Sequence, residues 1–305
     1  MNSNQKTIDN LTKIISQKDF AGSFLFAGPG GTGKEGAAVE LIRKVNKISQ
    51  TDEKMKSGYH PDVIFIRPEE EVKRGRRRIK DISIDQIKDK IKQAGYFNYQ
   101  APKKFFVITH ADKMTGEASN SLLKIMEEPP KDCLFLLVTA FEDRLLDTIR
   151  SRCSKVNFPL LNKDKLVEAL KRDFPDSLVP ELDKAAEMSS GRYETAKRMI
   201  QNNEVRDRRE REIERFRQSA KGGINKAFDL AFDCSKDKEK LLEALDDWIY
   251  YLHNFAKESV LQNRDIRIQK KVFQMAKDLV ELKINIEKTN INGRLALENY
   301  FVKFS

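Results

Sequence analysis

The first half of the chain alternates short apolar runs with longer stretches in which apolar residues recur every three or four positions. The apolar runs lie at residues 24–27, 63–66, 105–108 and 134–138, each bounded by turn-forming residues. Such runs are typical of buried strands, and the periodic stretches at 36–45, 84–94 and 118–128 are typical of helices. This alternation predicts an α/β domain over residues 1–158, with a parallel sheet flanked by helices.

The second half has no convincing strand pattern and is periodic in the helical sense. Helical spacing covers residues 160–174, 181–189 and 193–216, breaks in the Gly-Gly segment 221–226, and resumes at 241–252 and 271–281. We therefore expect an all-α region in two parts. A small helical domain would span residues 159–205, and a C-terminal helical domain would span residues 206–305.

Composition and charge narrow the choice of partners. Of the 305 residues 34% are charged and 39% are hydrophobic, and the net charge is +10 with a pI near 9.3. A basic surface suits a polyanionic partner but is also common in proteins that bind no nucleic acid. Residues 67–81 hold a run of arginines and lysines. We expect a solvated, mobile loop there, with contact of residues 73–80 to nucleic acid as the alternative.

The cysteines and the N-terminal residues indicate the cellular compartment in which the protein is expected. Cys133, Cys153 and Cys234 never stand at Cys-x-x-Cys spacing, which predicts neither a zinc site nor a disulfide framework. An odd, sparse cysteine count fits a reducing compartment. The N-terminus has no apolar signal-peptide core, and no segment approaches the ~20 apolar residues of a membrane-spanning helix. We therefore expect a soluble, cytoplasmic protein without membrane contact.

A glycine-rich loop follows the first predicted strand and opens the first predicted helix. It has the GxxxxGK pattern of a phosphate-binding loop in its usual strand-loop-helix setting. Glycine permits positive φ and close approach of the backbone to phosphate, while the loop amides and the helix N-terminus present hydrogen-bond donors. The candidate nucleotide-binding residues are Gly28, Gly30, Gly31, Thr32, Gly33 and Lys34.

Two polar positions depart from what ATP hydrolysis requires. The residue after the loop lysine normally gives a hydroxyl to Mg²⁺, and here it is Glu35. Hydrolysis also needs acids at the end of a second strand, but the strand at 105–108 is followed by Thr109 and His110. Asp112 comes later and is expected to have turned away onto the next loop or helix. These departures favour a site that has lost catalysis, with His110 as a general base as the alternative, and they leave ATP binding open.

Two segments resemble clamp-loader subunits of the AAA+ superfamily. Residues 111–115 (ADKMT) and 120–130 (NSLLKIMEEPP) are similar to the family stretch ADKMT…NALLKTLEEPP. Residues 145–153 (LLDTIRSRC) are similar to the family segment LLPTIRSRC. The resemblance implies that Arg152 reaches into the nucleotide site of a neighbouring subunit as an arginine finger. A planar, permanently charged guanidinium suits that task because it can grip two phosphate oxygens.

Looser matches extend the resemblance to residues 60–62 (HPD), 84–87 (IDQI) and 290–298 (NINGRLALE). Two departures from the family pattern bear on function. Many relatives hold zinc with four cysteines between the first helix and the HPD strand, and residues 45–60 contain none, so we expect no zinc. The place of the nucleotide-sensing arginine of the ATPase members corresponds to Glu194, while Arg192 is expected on another helix face.

These defects in one site imply a subunit of the delta-prime type. The resemblance implies a part of the DNA polymerase III holoenzyme with little or no ATPase of its own, which helps to load the sliding clamp onto primed DNA. It also implies an AAA+ domain at 1–158, a lid at 159–205, and a collar at 206–305 that joins motor and delta subunits in a ring. The alternatives are an active gamma- or tau-like motor ATPase, a DNA-binding module that uses residues 73–80, and an AAA+ adaptor outside replication.

Overall fold

The structure, a computed structural model, describes residues 3–17, 20–73, 76–95, 98–289 and 291–304. The chain divides into two compact units, Met1–Lys197 and Arg198–Ser305. The strands are β1 Gly22–Ala27, β2 Val63–Ile66, β3 Glu70–Lys73, β4 Arg76–Ile79, β5 Lys104–Thr109, β6 Cys133–Thr139 and β7 Ser154–Asn157. The division into three domains that the sequence suggests stays a prediction.

Nine helices begin in the described part of the first unit, and α9 runs past its boundary. They are α1 Ser3–Ile15, α2 Lys34–Asn46, α3 Glu53–Ser57, α4 Ile84–Ala94, α5 Gly116–Glu127, α6 Asp147–Ser151, α7 Lys163–Asp173, α8 Val179–Met188 and α9 Tyr193–Gln201. Two short 3-10 turns lie at Ala111–Lys113 and Glu142–Arg144. The second unit holds α10 Asn203–Lys221, α11 Gly223–Cys234, α12 Lys238–Leu261, α13 Ile266–Lys288 and α14 Gly293–Phe304.

Five strands form one parallel sheet in the order β2-β5-β6-β1-β7. Every residue of β5 and β6 is buried, as expected of central strands covered on both faces. The four predicted strands and the α/β class are thereby confirmed. The edge strand β7 was not predicted, because Val156 is its one buried residue and a single apolar position gives no pattern.

A hydrophobic core lies on each face of the sheet. Phe24 and Phe26 of β1 face a core shared with α1 and α2, and Leu25 faces a second core shared with α4 and α5. This alternation follows from the two-residue period of a strand. Ser83 and Thr115 cap the N-termini of α4 and α5, since each side chain accepts a backbone N–H three residues on. The sheet therefore holds the loops at its carboxyl edge in fixed positions.

The second unit is all helical, and its core surrounds Trp248, which stacks on Phe216 with ring centroids 4.9 Å apart. The break predicted in residues 221–226 is confirmed, since α10 ends at Lys221 and α11 begins at Gly223. The helical stretch at 193–216, however, is two helices. The chain breaks at Asn202, whose side-chain carbonyl accepts the N–H of Glu204 and starts α10.

The basic segment 67–81 contains an antiparallel pair of strands, β3 and β4, so the prediction of a loop is wrong for residues 70–73 and 76–79. In this register the Cα atom of Glu71 lies opposite that of Arg78. Contact of residues 73–80 with nucleic acid stays a prediction, and residues 74–75 lie outside the described residues. In the part of the chain that the structure describes, no helix has the length and apolar character needed to span a membrane.

Candidate functional site: a closed phosphate loop

The glycine-rich loop connects β1 to α2 at the carboxyl edge of the sheet. Gly31 and Gly33 have φ angles of 76° and 88°, in the left-handed region that glycine adopts without strain. Gly33 is the N-terminal cap residue of α2. The loop thus has the backbone conformations that its glycines predict.

Gly28 and Gly30 are glycine for different reasons. Gly28 has φ 152°, and a Cβ atom there would lie 2.2 Å from the carbonyl oxygen of Phe158. A Cβ atom at Gly30 would have nothing within 4 Å. Packing against the neighbouring backbone therefore requires glycine at position 28, whereas only close approach of a ligand would require it at position 30.

Lys34 is turned into its own loop. Its ammonium donates hydrogen bonds to the carbonyl oxygens of Gly28 and Pro29, both at 2.6 Å, and lies 3.4 Å from the hydroxyl of Thr32. The Thr32 hydroxyl in turn donates to the carbonyl of Pro29 at 2.9 Å. The cation that normally meets the β and γ phosphates is thus engaged by the loop itself.

The buried position of Lys34 inside the loop affects its pKa. The side chain is only 7% exposed, and burial lowers the pKa of Lys34 to about 8, against the opposing charges of Glu35 and Asp112. A buried ammonium is stable only when its hydrogen bonds are satisfied. The carbonyl oxygens of Gly28 and Pro29 accept these hydrogen bonds without a ligand.

Residues at the start of α9 cover the loop. The backbone N–H of Glu194 donates to the carbonyl of Gly31 at 2.9 Å. A Cβ atom at Gly31 would lie 3.0 Å from the Thr195 hydroxyl and 3.3 Å from Cβ of Arg192. Arg192 therefore precedes α9 and packs on the loop, which corrects the expectation that it lies on another face of the helix.

Glu194 stands where the family resemblance implies a sensing arginine, so the side chain at this position is a carboxylate. Oε1 of Glu194 lies 3.1 Å from where a Cβ atom at Gly36 would be and 3.8 Å from the corresponding point at Gly33. This places negative charge beside the N-terminus of α2, where the helix dipole favours an anion. The position expected to bind phosphate therefore carries an acid of the chain itself.

The remaining cavity beside the loop is small. It measures about 160 Å³, below the roughly 300–1,000 Å³ of most small-molecule sites. Tyr193, whose hydroxyl donates to the carboxylate of Asp173, and Glu194 line it together with Gly33 of the loop and Ile8 of α1. The arrangement of Lys34, Glu194 and this cavity does not fit a bound ATP.

The positions of the missing catalytic acids lie at the end of β5. His110 adopts a left-handed conformation, and its Nδ1 is 4.0 Å from Oε1 of Glu35, with both side chains about half exposed. Asp112 lies on a 3-10 turn as expected, but its carboxylate turns back and accepts a 2.6 Å hydrogen bond from the hydroxyl of Thr139. The prediction that Asp112 has turned onto the element after β5 is therefore confirmed.

Arg152 is the C-cap residue of the short helix α6, and its side chain is 36% exposed. Its guanidinium donates to Oε1 of Glu127 at 2.6 Å and to the carbonyl of Thr148 at 3.1 Å. Glu127, the last residue of α5, was part of a motif in the sequence, but nothing there indicated that it contacts Arg152. The arginine is thus presented at the surface in a fixed direction.

The sheet, the phosphate loop and the helices that follow define a P-loop protein of the AAA+ class, in which Thr109 and His110 stand at the end of β5. A family model described as "DNA polymerase III, delta subunit" matches residues 3–162, more than half of the chain. The chain belongs to this family. The resemblance seen in the sequence motifs is thereby confirmed.

Curated relatives agree with this assignment. The DNA polymerase III subunit delta' of Bacillus subtilis is 34% identical over 182 residues, which are 55% of this chain and 53% of that protein. The protein of the same name from Pseudomonas aeruginosa is 30% identical over 213 residues, 67% of this chain and 62% of that protein. The chain thus spans less than two thirds of the length of either relative.

A solved structure supports the fold. The DNA polymerase III gamma subunit-related protein of Thermotoga maritima superposes with a TM-score of 0.56 over 97% of this chain and 98% of that chain. The two sequences are 20% identical. This similarity supports the shared architecture of an AAA+ domain followed by helical regions.

Proposed function

We propose that the chain acts as a delta-prime-type subunit of a DNA polymerase III clamp loader. In this role it helps to load the sliding clamp onto primed DNA, together with motor and delta subunits, without hydrolysing ATP itself. The observation that carries the proposal is Lys34, which bonds to two carbonyls of its own loop. Membership of the family and the names of its relatives support the setting in replication.

Arg152 is the residue that we propose acts on another subunit. Its charge is permanent and its fork of donors can hold two phosphate oxygens of a neighbour's ATP. Partial exposure and the contact with Glu127 support this role, because a finger must be accessible and directed. Residues 28–34 would then be an inherited loop that serves the packing of this chain.

The C-terminal helices are proposed to form the collar that joins the ring. Ile266, Phe273 and Val280 recur at seven-residue spacing along α13, and each is more than two fifths exposed. An exposed apolar heptad line is typical of a surface that packs against another helix. Residues 159–205 would act as the lid of the first domain, and the collar would cover residues 206–305.

The test is ATP turnover by the purified chain and by a ring rebuilt with its cognate motor and delta subunits, clamp and primed DNA. We expect no turnover by the chain alone. Arg152→Ala should lower the turnover of the ring at least tenfold without preventing assembly, since finger arginines contribute on the order of 10³–10⁵ in related enzymes.

Arg150→Ala is the matched control, because Arg150 lies two residues away, is 38% exposed, and pairs with Asp147 of its own helix. ATP turnover by the chain alone would contradict the non-catalytic role and would indicate that Glu35 and His110 take part in catalysis. An assembled ring that is indifferent to Arg152→Ala, or equally sensitive to Arg150→Ala, would contradict the finger.

A further inference from the structure

A second, larger cavity lies beside β2, the strand at one edge of the parallel sheet. The turn at residues 58–61, the second half of α4 and residues 98–99 line this β2-edge cleft. Its volume is about 620 Å³, within the range of roughly 300–1,000 Å³ of ligand sites. It shares no lining residue with the cavity at the phosphate loop.

Two tyrosines line the cleft and keep their rings in solvent. Tyr59 is 84% exposed and Tyr99 is 78% exposed. An aromatic ring usually gains stability by burial, so two exposed rings on one cleft leave unused surface for a partner. Their flat faces are suited to stacking on a planar group.

The polar lining of the cleft is basic. Among its described lining residues are Lys90, Lys104 and His60, and none is Asp or Glu. Lys104 is buried, and its ammonium lies 3.9 Å from the fully buried carboxylate of Asp62. Lys90 therefore provides the exposed positive charge, and the cleft suits an anionic ligand.

Carboxamides add hydrogen-bonding groups beside the rings. The Asn98 amide nitrogen donates to the carbonyl of Pro102 at 2.8 Å, which fixes the orientation of the side chain. Its Oδ1 atom is buried and has no partner among the described residues. A buried acceptor of this kind is normally paired, and a ligand could reach it only if the Asn98 side chain moved. Gln93 of α4 offers a second carboxamide.

The wall that carries Tyr99 is held rigidly. Asp62 accepts the backbone N–H groups of Tyr99 at 2.7 Å and of Gln100 and Ala101 at 2.9 Å each. Three bonds to one buried carboxylate fix the backbone of this segment relative to β2. A preorganised wall loses little conformational freedom when a ligand binds.

We propose that the β2-edge cleft binds single-stranded DNA. Bases stack on Tyr59 and Tyr99, a backbone phosphate lies near Lys90, and the exposed carboxamide of Gln93 contacts base edges. Aromatic rings combined with a cation and no opposing carboxylate are the features by which proteins hold single strands without reading their sequence. The proposal does not depend on the phosphate loop or on Arg152.

The test is fluorescence anisotropy of a labelled oligothymidine titrated with the purified full-length chain at low salt. Because stacking on an aromatic ring contributes about 1–3 kcal/mol per base, Tyr59→Ala and Tyr99→Ala should each weaken binding roughly 5- to 150-fold. Tyr99→Trp should retain binding, since it keeps a flat ring. Lys90→Gln should reduce the salt dependence of the affinity.

Phe273→Ala is the control, because Phe273 is an aromatic residue of the other unit and is 68% exposed. Circular dichroism melts should show that each variant remains folded. The proposal is overturned if the wild type does not bind, if the tyrosine variants bind as the wild type does, or if Phe273→Ala weakens binding equally. The proposal is also overturned if duplex DNA binds as tightly as the single strand and the tyrosine variants bind the duplex as the wild type does. Binding would then reflect general electrostatic attraction.

Discussion

A buried ion pair in the second unit gives the sharpest prediction of stability. Nε of Arg209 on α10 lies 3.0 Å from Oδ1 of Asp247 on α12, and the two side chains are 6% and 8% exposed. The guanidinium also lies over the ring of Tyr250, 4.8 Å from its centroid. Removing one member of a buried pair costs about 3–5 kcal/mol, because the other charge is left uncompensated. Arg209→Leu and Asp247→Leu should each destabilise the unit by about this amount near pH 8.

The two variants should respond differently to pH. Burial raises the pKa of Asp247 from 3.8 to about 7, while Arg209 and Arg208 act in the opposite direction. Without Arg209 the pKa of the buried carboxyl rises further, so between pH 8 and 7 the variant takes up a proton that the wild type does not, and the penalty of Arg209→Leu should shrink by at most about 1.4 kcal/mol over that pH unit. Asp247→Leu lacks the titrating group while Arg209 keeps its proton, so this variant misses the wild type's gain in stability below pH 7 and its penalty should grow. The double variant to leucine should recover most of the loss, since a buried pair and an apolar replacement are nearly equal in stability.

The free energy of unfolding of the wild type should also depend on pH. Its folded state binds a proton at Asp247 below pH 7, whereas the unfolded chain does so only below about 4. The free energy of unfolding should therefore fall as the pH rises through this window, by at most about 1.4 kcal/mol per pH unit. Neighbouring groups that face Asp247, namely Asp246, Glu212 and Arg208, are the same in all variants at position 209.

The assay uses the single tryptophan of the chain. Trp248 is buried in the core of the second unit beside Phe216, so its fluorescence in urea reports the unfolding of that unit. Midpoints would be compared at pH 5.5 and pH 8 for the wild type, both single variants and the double variant. Equal responses of the two single variants to pH, or a double variant no more stable than the singles, would refute the reasoning.

Two further predictions concern the first unit. Glu127→Gln should lower the ATP turnover of a rebuilt ring by no more than a few-fold, because an exposed ion pair to Arg152 contributes about 0–1 kcal/mol. Glu128→Gln is the control. A loss of turnover equal to that of Arg152→Ala would show that Glu127 has another role. Gly28→Ala should cost about 2–4 kcal/mol and lower the melting temperature by several degrees, because its Cβ would overlap a backbone carbonyl. Gly30→Ala should change the melting temperature by less than about 2 °C, and equal melting temperatures for the two variants would contradict the packing argument.

The sequence predicts the strands that are buried on both faces and misses those that are not. Residues 105–108 and 134–138 are continuous apolar runs because helices cover both sides of β5 and β6. The strands β3, β4 and β7 depend on pairing with neighbours, and their charged or mixed residues give no apolar signal. The first helix was also overlooked, although Ile8, Leu11 and Ile15 have helical spacing and are buried.

At the candidate site, too, the sequence predicts some features and misses others. The loop and its glycines were evident from spacing, since a phosphate loop is a local motif. The contacts that decide its state join residues far apart in the chain, such as Glu194 with Gly31 and Thr139 with Asp112. Such contacts depend on tertiary packing, which a one-dimensional pattern does not contain. Arg152 could be singled out by its motif, but its anchoring by Glu127 could not.

The closed phosphate loop also determines how the chain responds to the supply of nucleotide. A ligand shifts a protein between conformations only if it binds one of them better than the other, and it stabilises the fold only in proportion to its occupancy. If the hydrogen bonds of Lys34 and the contact of Glu194 keep nucleotide out of the loop, as we propose, the first unit should have the same stability in high and low ATP. In the proposed clamp loader, whose motor subunits would change with each round of ATP use, such a unit would provide a fixed reference against which their movement is transmitted.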